Sequence, residues 1–231
     1  MNTIKFAEIE RCPECGINDL VGSQKICLLC YNAHEEKLRI ERIKKNIREE
    51  VRKRGVRLKY LDCSFQNYEQ TEHNLKMFDG IRSIPRDYKG SIFFTSKRSG
   101  TGKTHLAVAM MRDYLLSGME SIYFISSPWL FLEIKNSYDT EENERAIIEK
   151  YCSYKVLIID DIGVERVSGW ALQIWYMIID RRDADNKTTI YTSNLSAGDI
   201  AEKLDTRISS RVSSGYVFTF QGNDYRIRKA K

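Results

Sequence analysis

The chain has 231 residues, 42% of them hydrophobic, and a formal net charge of +5. That length suits one sizeable domain with a small appendage, and the apolar content is enough for a real core. No apolar run reaches the roughly 20 residues of a bilayer span, and MNTIKFAEIERC lacks the apolar centre of a secretion signal, so a membrane-spanning protein is excluded and a cytoplasmic one expected.

The N-terminal quarter is the distinctive part. Residues 1–60 hold 14 Lys and Arg against 9 Asp and Glu, whereas residues 61–231 hold 23 of each. Such an excess suits contact with nucleic acid or an acidic partner, or simply solvated lysines on a helix. Four of the six cysteines fall in RCPECG and ICLLCY, a C-x2-C pair, eleven residues, and a second C-x2-C pair built from Cys12, Cys15, Cys27 and Cys30. Reduced cytoplasmic thiols argue against disulfides. Each pair aims two thiolates at one point, and two facing pairs make a closed tetrahedral shell for structural Zn2+; a redox or iron–sulfur role fits the paired knuckles less well. We therefore expect a zinc-binding module over 1–33. Cys63 and Cys152 suit small apolar positions. Next, AHEEKLRIERIKKNIREEVRKRG places Ile40, Ile43, Ile47 and Val51 at helical spacing and predicts one basic amphipathic helix over 34–56, stopped near Gly55. It packs on the main domain or on a partner protein, lies along a nucleic-acid backbone, or is a connecting helix with solvated charges.

From residue 57 to 231 strands alternate with helices. Strands are predicted over 91–95, 121–125, 156–159, 188–192 and 216–220. Helices are predicted over 104–116, from Pro128 to about 138, and over 141–151, 170–182 and 200–212. Continuous apolar strands separated by helices imply an α/β fold with a central parallel sheet covered on both faces.

Between the first strand and its helix stands KRSGTGKT. Backbone N–H groups of Gly100 to Thr104 can converge there on phosphate oxygens, with Lys103 reaching the β- and γ-phosphates and the Thr104 hydroxyl on Mg2+. The pattern G-x-x-x-x-G-K-[ST] asks for glycine where Lys97 stands, and lysine in a left-handed conformation would carry a cost. KVLIIDDIG ends its strand in Asp160, placed to hold the Mg2+ shell, and Asp161, placed to polarise water. In TTIYTSNL, Asn194 follows another apolar strand and can reach the γ-phosphate side.

With these blocks in order, residues 57–228 resemble the AAA+ ATPases of the DnaC/DnaI group of replicative-helicase loaders and the related IstB transposition helper ATPases. LDCSFQNY resembles the lead-in whose aromatics lie near the base, SGTGKTHLA the Walker A block, VLIIDDIG the Walker B block, IIDRRDADNKTTIYTSNL the approach to sensor 1, TRISSRV box VII and NDYRIR the sensor 2 region. The resemblance implies a P-loop AAA+ three-layer fold without a C-terminal helical lid and ATP/ADP contacts spanning Ser99, Gly100, Thr101, Gly102, Lys103, Thr104 and His105. It also implies Mg2+ on Thr104 and Asp160, and catalytic roles for Asp160, Asp161, Asn194, Arg226 and, in trans, Arg211.

A finger that acts on a neighbour's nucleotide implies ATP-dependent self-association. The resemblance further implies single-stranded DNA and a hexameric replicative helicase as partners, no membrane, and a DNA path near 128–151. Lys97 and Asp161, where most AAA+ proteins have glycine and glutamate, imply slow hydrolysis that DNA or a partner stimulates. The expected function is an ATP-dependent helicase loader; the alternatives are an IstB-like transposition helper and an adaptor that binds nucleotide only for structure.

Overall fold

The structure is a computed structural model that describes residues 11–18, 20, 25–137, 143–165, 168–222 and 224–225. The chain divides into two compact units, Met1–Asn46 and Ile47–Lys231.

In the first unit, helix α1 (Leu28–Lys45) starts directly after Cys27, so Cys30 lies in its first turn. The apolar spacing predicted one helix from 34 to Gly55. Instead α1 ends at Asn46 (φ −118°, ψ 25°), and α2 (Ile47–Lys53) begins anew in the second unit. Asparagine offers its backbone an alternative to the helix, and here its N–H splits between the Arg42 and Ile43 carbonyls.

The second unit is built on five parallel strands, β1 (Ser91–Thr95), β2 (Ile122–Ser126), β3 (Val156–Asp160), β4 (Thr188–Ser193) and β5 (Tyr216–Thr219), in the order β2-β3-β4-β1-β5. These are the expected strands to within a residue or two. The helices are α3 (Leu75–Arg82), α4 (Lys103–Leu116), α5 (Ser127–Asn136), α6 (Glu144–Ser153), α7 (Gly169–Ala184), α8 (Ala197–Lys203) and α9 (Thr206–Val212). Alternate strand residues serve opposite faces. Phe93, Ile125, Leu157, Ile159 and Tyr191 face a core shared with α5 to α9, while α4 packs against β2 and β4. Three layers follow, as the sequence pattern required.

A second helical expectation needs correction. The segment read as one helix over 200–212 is α8 and α9, split at Leu204 and Asp205, where the Asp205 carboxylate accepts the Arg207 N–H and caps α9. Helix α3 and a 3-10 turn at Leu58–Tyr60 had no counterpart in the sequence reading.

Two features fix the sheet edge and the far end of α7. The carbonyl of Arg54 accepts the Phe124 N–H, which seals the outer edge of β2. Gly55 makes this approach possible: its φ is +91°, and a Cβ there would lie 2.2 Å from the Phe124 carbonyl oxygen. Arg182 is fully buried, with Nε donating to Thr189 Oγ1 (2.9 Å), Nη1 to the carbonyls of Tyr151 (3.0 Å) and Tyr154 (2.8 Å), and Nη2 to that of Thr188 (2.7 Å). Burial pulls its pKa down to about 10.

Candidate nucleotide site and cysteine cluster

The sheet register sets the site. Thr95, Asp160 and Ser193 end β1, β3 and β4, the central strands, side by side. Asp160 is 5% exposed; its Oδ1 accepts the hydroxyls of Thr104 (2.8 Å) and Thr192 (2.7 Å). Burial, and then the neighbouring Asp161, push its pKa up to about 6 against the pull of those two hydroxyls. Thr192 also accepts the Asp161 N–H at 3.0 Å, and Ser193 Oγ donates to the Ile162 carbonyl at 2.7 Å, so β4 pins the acidic turn. Asp161 sits at φ +60°, a conformation that costs a non-glycine residue and turns its backbone sharply away from β3.

Lys103, 5% exposed, donates to Asn194 Oδ1 (2.8 Å) and to the Arg98 carbonyl (3.3 Å). The structure thus brings Lys103, Thr104, Asp160 and Asn194 together as two hydrogen-bonded pairs, Lys103–Asn194 and Thr104–Asp160, carried by consecutive residues of α4. The loop before α4 turns at Gly100 (φ 71°) and Gly102 (φ 93°), whereas Lys97 is not left-handed. The expected penalty at Lys97 is absent because the sharp turns fall on the two glycines further on. A Cβ on Gly102 would come within 2.8 Å of the Tyr68 ring, and one on Gly100 within 1.8 Å of Asp224 Oδ1. The Tyr225 N–H donates to the Gly100 carbonyl (3.1 Å), so Asp224 and Tyr225 meet this loop directly. Thr101 is 2% exposed and its hydroxyl has no partner among the described residues, an orphan that a ligand at the loop would relieve. Helix α4 carries no acidic residue in its first turn, which leaves its positive N-terminal end open to an anion.

Other expected residues are placed apart. Ser99 is exposed. His105 Nε2 lies 2.9 Å from the Ser64 carbonyl and edge-on to Tyr68, which itself stacks on Phe78, so the lead-in segment packs over α4. Arg211 sits on α9 over the Tyr176 ring, with Nη2 2.5 Å from Asp180 Oδ1 and Nε 3.9 Å from Asp183, contacts that involve none of the loop residues. Arg226 lies outside the described residues, as does part of the expected DNA path, 138–142.

Several participants escaped the sequence reading. Thr192 shows only as a polar residue closing an apolar strand. Arg57 donates to Ser126 Oγ (3.1 Å), and Ser126 lies opposite Asp160 in the β2–β3 register. The Glu165 carboxylate accepts the Ser127 hydroxyl, the Gly163 N–H (3.2 Å) and Trp175 Nε1 (2.5 Å), tying the acidic turn to α5 and α7. Its position two residues after Gly163 was the available signal.

In the first unit the four expected cysteines converge: their sulfurs all lie within 4.8 Å of one another. Cys15 and Cys27 sulfurs are 3.8 Å apart, the edge of a tetrahedron with metal–sulfur bonds of about 2.3 Å. The Cys27 N–H donates to Cys12 Sγ (3.3 Å), and Asn18 Nδ2 donates to the sulfurs of Cys15 and Cys27 (both 3.6 Å). Backbone donors at Asn18 and Ile17 draw the Cys15 pKa down to about 6, while the crowded neighbouring thiols push that of Cys30 up. Four convergent sulfurs at this spacing suit a divalent, thiophilic cation.

The sequence pattern of the IstB-like ATP binding proteins matches residues 39–229. The chain belongs to that family. Among curated relatives of this IstB-like protein are two replicative helicase loaders named DnaC. That of Buchnera aphidicola subsp. Schizaphis graminum is 29% identical over 212 residues, covering 86% of this chain and 85% of the relative. That of Buchnera aphidicola subsp. Acyrthosiphon pisum is 30% identical over 180 residues, covering 74% and 72%. A crystal structure of the DnaC helicase loader superposes with a TM-score of 0.63 at 23% identity, over 71% of this chain and 100% of that one, and so shares the AAA+ fold. No helix among the described residues is long and apolar enough to cross a membrane.

Proposed function

We propose that this IstB-like protein is an ATPase that loads a ring-shaped replicative helicase onto single-stranded DNA, assembling with ATP and releasing on hydrolysis to ADP and phosphate. The observation that carries the reading is the cluster of Lys103, Thr104, Asp160 and Asn194 at the strand ends. The relatives named as helicase loaders support the choice of partner.

In this reading residues 57–231 form the ATPase domain, 34–56 a basic linking segment and 1–33 a zinc-binding module. The N–H groups of Gly100 to Thr104 cradle phosphates, and Ser99, Thr101 and His105 border the nucleotide. Lys103 leaves Asn194 for the β- and γ-phosphates, and Asn194 turns its amide to the γ-phosphate. Thr104 and Asp160 would hold Mg2+, which supplies charge neutralisation at the phosphates. Asp161 orients the attacking water. Arg211 reaches a neighbouring subunit's nucleotide once Asp180 releases it, and Arg226 approaches from the C-terminal segment. Cys12, Cys15, Cys27 and Cys30 would hold Zn2+, whose closed shell supplies cohesion and no chemistry.

Co-purification of the full chain with the host's replicative helicase, with and without residues 1–54, tests the partner. Capture of the helicase by the full chain is expected; failure would favour a transposition helper, a second reading that the IstB-like family match supports. Phosphate release in the presence of single-stranded DNA is expected to fall at least tenfold in Asp161→Asn; equal rates would leave a nucleotide-binding adaptor.

A further inference from the structure

A cavity of about 110 Å³ opens between the lead-in segment, α3 and α4, with Phe65, Gln66, Arg82, Arg86, Asp113 and Tyr114 in its wall. We infer that this cavity binds a compact oxyanion, a phosphate or carboxylate group, gripped by the Arg82 guanidinium and the Tyr114 hydroxyl. Neither residues 100–104 nor Asp160 nor Asn194 line it, so it stands apart from the nucleotide cluster.

The wall holds an unmet donor. Tyr114 is 3% exposed, and its hydroxyl has no hydrogen-bond partner among the described residues. A buried hydroxyl left unpaired is costly, and an occupant of the cavity would relieve it. That hydroxyl feels the charged part of the wall: burial pushes its pKa up to about 12, the Arg86 guanidinium pulls it back, and Asp113 and Asp87 add to the rise.

Charge and donors select the occupant. Arg86 is committed, with Nη2 and Nε donating to Asp113 Oδ2 at 2.6 and 3.2 Å, and the pair is neutral together. Arg82 is not committed. Its guanidinium lies over the rings of Phe78 and Phe65, 5.8 and 6.0 Å from their centroids, and it has no carboxylate partner among the described residues. The wall therefore carries a surplus positive charge on a fork of donors that matches a carboxylate or phosphate. The Gln66 amide, likewise without a partner among the described residues, adds neutral donors.

Volume limits the size. A water takes about 30 Å³ of liquid, so the cavity holds a few waters or one small group. Pockets for larger ligands start at about 300 Å³, which rules out a whole nucleotide. Water would meet the hydroxyl alone, whereas an oxyanion meets the hydroxyl and Arg82 together. With Arg82 on α3 and Tyr114 on α4, the bound group ties α3 to the helix that also carries Lys103 and Thr104.

Calorimetric titration of the full chain with inorganic phosphate and, separately, with acetate tests this, in chloride buffer of constant ionic strength with Mg·ADP saturating the nucleotide site. Binding is expected, and the tighter probe names the class of the occupant. Arg82→Gln should weaken that binding about tenfold and Tyr114→Phe about fivefold, with Mg·ADP affinity unchanged in both. Melting gives a second readout. Without the probe Tyr114→Phe should melt no lower than wild type, because it deletes an unpaired hydroxyl, and with the probe wild type should melt higher than the variant. The inference is overturned if neither probe binds or if both variants bind as wild type does. It is also overturned if Tyr114→Phe melts lower than wild type by the same margin with and without the probe, since water would then already pair the hydroxyl. Failure of Mg·ADP to bind would sink the ATPase reading and leave the cavity to be judged by phosphate alone. In that case phosphate binding lost in Lys103→Ala but kept in Arg82→Gln would put the anion at the glycine loop and overturn the inference.

Discussion

The two clusters of candidate functional side chains are held in opposite ways. The cysteine cluster of the first unit is its own scaffold: two of its four cysteines, Cys12 and Cys27, are themselves buried where the chain turns. The Lys103–Asp160 cluster is instead a passenger on a large core, set at the ends of strands whose residues are buried along β1, β3 and β4. A self-scaffolded site makes ligand binding and folding one event, whereas a carried site can sit in a stable domain that tolerates buried, ill-matched groups.

That contrast is most sharply tested by metal removal. Chelation should unfold the first unit, structural zinc being worth about 10 kcal/mol in small modules, while far-UV circular dichroism and ATP-analogue binding report an intact second unit. Loss of both units together would break the distinction. Next in size is Arg182→Ala, which strands several buried carbonyls and leaves a cavity. Urea unfolding of the second unit should show a loss of about 4 kcal/mol, with the first unit's metal content unchanged.

Asp160 tests the claim that the carried site costs stability. Its folded pKa, about 6, stands above the ordinary 3.8, so the ionised form is the disfavoured one in the folded state. Stability from this group is full below the ordinary value and is lost as pH rises through about 6, a difference on the order of 3 kcal/mol without ligand. Asp160→Asn should flatten that dependence and raise the ligand-free melting temperature at pH 8 while abolishing Mg-dependent nucleotide binding. A variant less stable than wild type at that pH would refute the account. Smallest is Lys97→Gly. Because the turn falls on Gly100 and Gly102, stability should change by less than about 0.5 kcal/mol and nucleotide affinity should hold.

Much of this was legible in the sequence, for a physical reason. Strands buried on both faces are rich in apolar, β-branched and aromatic residues, so SIFFT and VLIID stand out by their apolar runs and TTIYTS by its β-branched residues, and the polar residues at their ends mark the candidate site. The convergence of the paired C-x2-C knuckles was equally plain because local spacing alone brings such thiols together. What failed to show depends on distant partners. Arg182 sits in IDRRDAD like a surface charge until the Tyr151, Tyr154 and Thr188 carbonyls close round it. Arg57 and Glu165 gain meaning only beside Ser126, Ser127 and Trp175. Helix breaks at Asn46 and Asp205 were hidden because the apolar period carries on across them while the backbone does not. Helix α3, eight residues long with Gly80 facing the Phe218 ring, is too short and too weak a former to announce itself.

Gly55 has a last consequence. The Arg54 carbonyl on the Phe124 N–H occupies the position where another chain's strand would otherwise template onto β2. A side chain at residue 55 would lever that cover away and uncover a ladder end beside exposed Trp129. Substitution there should thus be felt first as clumping of a still-folded protein, through strands that add at an unguarded rim, before any loss of nucleotide binding.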